Sequence, residues 1–342
     1  MTDTYRAIQL SKPGRFEMVA RDLQTPGRGQ VRVRVDACGI CHSDALTVEG
    51  GFPGLTYPRV PGHEVVGTID AIGEGVTGWK VGQRVGVGFL GGHCGVCAPC
   101  RRGDFVNCRQ QPLLGLHTDG GFAESLIANA QAVVSIPEEL SAVEAAPLLC
   151  AGLTTFTALR KSKARAGDLV AIQGVGGLGH LAIQFARHMG FRVVAIARGA
   201  SKSALALQLG AHRYLDSTTG DVAAQLQSMG GARVIVATAA NSASMSPLVA
   251  GLAPRGEMFV VGAGGTEPLA LSAAQMLFGE RVVSGTLTGS ALDSEETLSF
   301  SVLQDIRAMT EVVALEEAEA AYRRMINNDA RFRIVIDMHK TP

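Results

Sequence analysis

Residues 169–190, LVAIQGVGGLGHLAIQFARHMG, decide the fold. A run of apolar residues stops at a glycine-rich turn, and a segment with helical spacing of apolar positions starts straight after it. Each glycine has a physical task at that corner. Gly174 permits the tight turn, Gly176 lets a phosphate approach the backbone, and Gly179 lets helix and strand pack closely. Free N–H groups at the helix start then favour a diphosphate. A lone G-x-G-x-x-G says little, so its context matters.

Working outward, the rhythm after Gly167 alternates apolar runs with helical segments. The runs DLVAIQ, RVVAIA, RYLD, ARVIVAT, GEMFVVG and RVVSGT are six strand candidates. HLAIQFARHMG, SKSALALQLGA, DVAAQLQSMG and SMSPLVAGLAP read as helices between them. Helical crossovers demand a parallel sheet, so residues 152–290 are expected to form a doubly wound, six-stranded dinucleotide-binding domain. Where an NAD-binding domain ends its second strand in an acid, this chain has Ala197, Arg198 and, further on, Lys202. An arginine there can clasp a 2′-phosphate, so NADP is the preferred cofactor and NAD the alternative; a solvated surface arginine would look the same.

On the N-terminal side the pattern is period two: VRVRVDA at 31–37, EVVGTI at 64–69, RVGVG at 84–88 and AVVSIP at 132–137. Short β-strands are expected there. Ser141 and Glu144 have capping-box spacing before an apolar helix running through Cys150 to Arg160, with a bend expected near Pro147. Residues 1–151 are therefore read as a β-rich domain, and 291–342, with two helices and a closing strand RFRIVID, as a segment returning to it.

The seven cysteines fall into groups. Cys94, Cys97, Cys100 and Cys108 crowd fifteen residues, enough for a closed tetrahedral zinc shell. A redox Cys-x-x-Cys pair would account for two of them, and a zinc ribbon binding nucleic acid would need a basic surface. Cys41, His63 and Cys150, with Glu64 beside them, come from remote segments; two thiolates and an imidazole would leave a fourth metal position open. Two zinc ions per chain, one structural and one catalytic, are the expectation.

The 31 basic and 31 acidic side chains balance, which argues against a nucleic-acid partner. No basic leader and no apolar run of about 18 residues stands in the chain, so no membrane partner and a cytoplasmic location are expected. The 42 glycines exceed the usual share of about 7 %, consistent with many turns.

CGICHSD at 38–44, PGHE at 61–64, GHCGVCAPCRRGDFVNC at 92–108, DGGFAE at 119–124, CAGLTTFTAL at 150–159 and GVGGLG at 174–179 together resemble the zinc-dependent medium-chain alcohol dehydrogenases over nearly the whole chain. The resemblance implies an α/β protein with a GroES-like β-rich catalytic domain and a Rossmann domain. It implies catalytic zinc on Cys41, His63 and Cys150, with Glu64 near the metal and Asp44 orienting His63. Ser43 would pass the substrate hydroxyl proton while hydride moves to nicotinamide C4. His42 and Arg333 would touch the pyrophosphate and Thr154 the nicotinamide, with Gly177, Leu178 and Val261 completing the cofactor contacts. Cys38 matches no ligand position. Phe52 and Phe89 stand where small-alcohol members often carry tryptophan, and they suit aliphatic or aromatic primary alcohols and their aldehydes. A homo-oligomer, tetramer or dimer, is implied by analogy. One departure concerns the proton path: Leu46 replaces the histidine that usually continues it. A zinc-binding protein without activity and a zinc-free quinone reductase are the competing readings.

Overall fold

The computed structural model describes residues 4–262 and 267–341. They form two compact units. One runs to Cys150 and resumes at Gly289, and the other spans Ala151–Thr288.

In the first unit, β1 (Thr4–Lys12) and β2 (Arg15–Asp22) form an antiparallel hairpin that the period-two reading did not include. The main sheet has seven strands: β3 (Gln30–Ile40), β4 (Glu64–Ile72), β5 (Arg84–Val87), β6 (Ser125–Asn129), β7 (Val133–Ser135), β14 (Thr310–Val313) and β15 (Arg333–Asp337). Its order is β14-β15-β3-β4-β5-β7, with β6 also beside β3. Val31, Val33 and Val35 are buried while Arg34 is exposed, the alternation that fixes which face of β3 meets the core. Beyond Asp36 every residue of the strand is buried. Register then does the positioning. Ile40 pairs with Ile334 on β15, and Gly39 pairs with Glu64 on β4. Arg333, Cys41 and His63 are thereby delivered to one end of three adjacent strands.

The expected single helix through Cys150 is broken. Ser141 caps a short helix, Ala142–Ala145, through reciprocal bonds with Glu144. A 3₁₀ turn, Ala146–Leu149, follows with Pro147 in its first turn, where a missing N–H costs nothing. The break falls at Cys150, at φ −130° and ψ −72°, rather than at the proline.

The second unit is a six-stranded parallel sheet of β8 (Leu169–Gln173), β9 (Arg192–Ala197), β10 (Arg213–Asp216), β11 (Ala232–Ala237), β12 (Leu252–Val260) and β13 (Val282–Gly285), in the order β10-β9-β8-β11-β12-β13. All five residues of β8 are buried, as helices on both faces require. The direction of winding reverses between β8 and β11, the place where such sheets bind ligands. A helix at Ala273–Gly279, capped by Ser272, lies where no helix is expected from the sequence pattern. Among the described residues no single helix is long and apolar enough to cross a membrane.

Candidate active site and metal centres

Cys41 ends the β3 path and opens a 3₁₀ turn, His42–Asp44. That turn places the Asp44 carboxylate, which is buried, where it accepts from the Cys41 N–H at 2.8 Å and the Gly62 N–H at 3.2 Å. His63 Nδ1 donates to the same carboxylate at 2.9 Å. With its proton on Nδ1, the ring leaves Nε2 bare and able to ligate a metal. That Nε2 is buried and has no partner among the described residues, as is Glu64 Oε2. Two buried lone pairs without a partner carry a desolvation penalty that a cation removes.

One ligand atom from each of Cys41, His63, Glu64 and Cys150 lies within 4.8 Å of the others. The sulfurs of Cys41 and Cys150 are 3.7 Å apart. A tetrahedral zinc shell with sulfur bonds of about 2.3 Å has sulfur–sulfur edges of about 3.8 Å. The pair fits that shell. Cys41 is held well below the ordinary thiol range, first by the Cys150 sulfur and against its own burial, with His63 and Arg333 assisting; Cys150 is pushed well above it by Cys41 and by burial. Without a cation only one of the two sulfurs carries charge readily. Burial alone would lower His63, but Asp44 and Cys41 hold it well above its usual range, so a proton competes with a metal for Nε2.

Glu64 is pushed up to about 7 by burial, opposed by the Arg333 guanidinium. The two form a fully buried ion pair. Arg333, expected at the pyrophosphate, is thus engaged by Glu64 and only 4 % exposed. Gly39 was not singled out from sequence, yet a Cβ there would lie 1.9 Å from Glu64 Oε2. Its place directly before the Ile40–Cys41 step, opposite Glu64 in the ladder, is the signal that could have found it.

The His42 side chain is exposed and Ser43 half-buried, while Leu46 is exposed. Phe89 packs edge-on against the His63 ring, centroids 5.0 Å apart. Phe52 makes the same kind of contact with His117, at 5.4 Å, and His117 is a neighbour that sequence reasoning did not identify. Cys38 is wholly buried, with its sulfur 3.6 Å from Gly39 O.

Cys94, Cys97, Cys100 and Cys108 form a second group, again within 4.8 Å of one another. The Cys97–Cys100 and Cys94–Cys100 sulfurs are 3.4 and 3.9 Å apart. Backbone N–H groups of Cys97, Cys94 and Gln110 point at sulfurs at 3.3–3.4 Å, which favours thiolates. Cys97 is drawn down to about 6 by backbone donors, whereas burial and neighbouring sulfurs push Cys100 up to about 12. Four sulfurs grouped in this way could close a tetrahedral zinc shell, the donor set of structural rather than catalytic sites.

In the second unit, Gly174 has φ +94°, which only glycine adopts without strain, and Thr238 Oγ1 would lie 2.5 Å from any Cβ there. Thr238 donates to Gln173 O at 2.7 Å, tying the carboxyl ends of β8 and β11 together. A Cβ on Gly179 would fall 1.7 Å from Gly174 O, so the helix cannot pack with any larger residue. Gly176 is different, because nothing lies within 4 Å of its missing Cβ. That open approach to backbone fits a diphosphate. Gly177 and Leu178 complete the half-buried turn. The hydroxyl of buried Thr154 donates to Leu287 O at 3.2 Å, and Val261 N donates to Ala237 O at 3.1 Å beyond the end of β12.

Arg198 is exposed just past β9, and Lys202 precedes the helix Ser203–Gln208. The corner does hold a carboxylate, but from the next strand: Asp216 accepts from Gly199 N, Thr218 N and Thr218 Oγ1 at 2.7–2.9 Å. Sequence reading along β9 alone misses it. The Thr218 and Gly199 donors lower Asp216 below the ordinary carboxylate range.

Residues 27–138 match the family profile described as "Alcohol dehydrogenase GroES-like domain", and residues 177–303 match "Zinc-binding dehydrogenase". The chain is 40 % identical over 316 residues to alcohol dehydrogenase notN of Aspergillus sp., covering 92 % of each. It is 34 % identical to aldehyde reductase AdhA of Synechocystis sp., covering 99 % of this chain and all of that one. Among solved structures, that of CAD from Helicobacter pylori complexed with NADP(H) superposes with a TM-score of 0.89 at 28 % identity, covering all of both chains.

Proposed function

Since the chain belongs to the zinc-dependent medium-chain alcohol dehydrogenase family, and is an NAD(P)-dependent zinc oxidoreductase of alcohols and aldehydes, we propose how its own residues divide that work. Cys41, His63 and Cys150 hold the catalytic zinc, and Cys94, Cys97, Cys100 and Cys108 hold a second, structural one. The observation that carries this reading is the buried, partnerless His63 Nε2 next to two sulfurs at the edge length of a zinc tetrahedron.

When bound, zinc would supply Lewis acidity at an open position and the nicotinamide would supply or take the hydride. Everything else falls to side chains. Asp44 holds His63 in one tautomer and, through the Cys41 and Gly62 amides, fixes the turn that carries both ligands. Ser43, on the same turn, accepts the proton of the substrate hydroxyl. Leu46 cannot extend that path, so the proton passes from Ser43 to solvent water. The Glu64–Arg333 pair keeps a net neutral charge behind the ligands, so that the two thiolates alone balance a dication. Phe89 and Phe52 wall the substrate, a small primary alcohol or its aldehyde.

The glycine turn takes the diphosphate on Gly176, Gly177, Leu178 and Gly179, with His42 reaching it from its exposed position. Thr154 and Val261 border the nicotinamide. Arg198 and Lys202 favour NADP over NAD, because no acid ends β9 itself and Arg198 stands exposed just past it. Seven unpaired cysteines, six of them grouped as ligands, suit the reducing cytoplasm. Leu277 and Phe278, 73 % and 88 % exposed before the edge strand β13, favour a homo-oligomer. The reading is tested by following NADPH absorbance with benzaldehyde, with and without a strong chelator. Turnover that the chelator abolishes supports it, and no turnover at any pH refutes it.

A further inference from the structure

The 113–118 loop is stapled to the metal-site segments from several sides. Leu114 N donates to Phe89 O at 3.0 Å, and Leu90 bridges to Leu113. Thr47 Oγ1 donates to Gly115 O at 2.8 Å, and Gly115 lies so close to the backbone of Gly62, the residue before His63, that its Cβ position is 3.2 Å from Gly62 N. At the loop's end, His117 Nδ1 accepts from Leu113 N at 3.0 Å. A backbone N–H is always a donor, so the neutral ring must carry its proton on Nε2. Nε2 has no partner among the described residues, and the side chain is exposed. That bond orients an otherwise exposed ring, which lies edge to face with Phe52 at 5.4 Å. The inner pair, His63 and Phe89, has the same geometry at 5.0 Å.

We propose that His117 is a specificity-determining residue: with Phe52 it forms the outer aromatic wall of the substrate site and favours planar, aromatic aldehydes and alcohols over short aliphatic ones. The inference rests on the placement of Phe52 and Phe89 at the substrate given above. Physically, a substrate ring gains offset or edge contacts with the ring pair, at reduced entropic cost because the Leu113 amide already orients the imidazole. A three-carbon aldehyde has no ring to set against that wall. His117 acts on binding, with no part in proton or hydride transfer.

The loop clasp and the wall can be separated by substitution. In His117→Asn the side-chain oxygen can accept from Leu113 N as Nδ1 does, but the ring is gone; in His117→Phe the ring stays and the acceptor is lost. The expected result for His117→Asn is a KM for benzaldehyde raised about threefold to tenfold, kcat within about twofold, and propanal kinetics unchanged. His117→Phe should return the benzaldehyde KM to near the wild-type value. If His117→Asn matches wild type on both aldehydes, or loses equally on both, the assignment is overturned. Wild-type protein that turns over neither aldehyde would instead refute the proposed function, leaving the two failures distinguishable.

Discussion

Asp44 and His63 meet at 2.9 Å, carboxylate to Nδ1, inside the protein, and that single contact decides which imidazole nitrogen is free. The free one is the partnerless Nε2. Because the same carboxylate also holds the Cys41 and Gly62 amides, it joins the segments that bear Cys41 and His63 and orients the imidazole.

Asp44→Ala should therefore weaken metal retention and kcat/KM together, by about 10- to 100-fold, the usual cost of removing such a partner. Zinc content after dialysis against a competing chelator, measured beside kcat/KM, checks this. Full zinc retention with unchanged turnover would contradict it.

The two glycines of the turn should fail differently. Gly179→Ala places a Cβ 1.7 Å from Gly174 O and should yield poorly folded protein. Gly176→Ala meets nothing in the protein and should fold with an unchanged Tm, yet bind NADPH at least about tenfold more weakly, because its methyl occupies the diphosphate's approach. Thermal melts and fluorescence titration with NADPH separate the two.

Arg198→Asp should move the cofactor preference from NADPH toward NADH. A change of about 2 kcal/mol in the difference between the two cofactors corresponds to about thirtyfold in the ratio of their kcat/KM values. A wild-type enzyme that already prefers NADH would overturn the assignment of Arg198.

The Ser141–Glu144 capping box anchors the segment that ends in Cys150. Glu144 is held below its ordinary value of 4.5, first by the Ser141 hydroxyl and amide and further by Arg307. A carboxyl lowered on folding stabilises the protein above the unfolded-state value, and that contribution disappears as pH falls through the lower folded-state one. The Tm advantage of wild type over Glu144→Gln should therefore be present at about pH 6 and shrink as pH is lowered toward about 3. An advantage that grows on acidification would refute it.

Much of this was legible in residues alone, for physical reasons. Thiolates at metal-ligand spacing, and glycines between a buried strand and a helix, leave few alternatives. Period-two burial located β3 and β4, because Val31, Val33 and Val35 can face only one way. Other features depend on contacts between remote segments. The Glu64–Arg333 pair follows from a register spanning 269 residues, and no local pattern encodes it. Asp216 reaches the corner after β9 from the adjacent strand, so a search along β9 finds only Arg198. The break at Cys150 instead of Pro147 reflects a proline that fits the first turn of a 3₁₀ segment without disturbing it. In the hairpin, β2 buries no residue fully and β1 buries the adjacent Ala7 and Ile8 together, so the sequence offers little clean alternation to read.

The most direct test of the catalytic centre is a zinc count per chain paired with NADPH-dependent aldehyde reduction, on wild type and Cys41→Ala. Wild type should hold two zinc ions and turn over; Cys41→Ala should keep the four-cysteine zinc, lose the other, remain folded and show no turnover. Two zinc ions and retained turnover in Cys41→Ala would contradict the assignment of Cys41, His63 and Cys150 as the reacting metal's ligands.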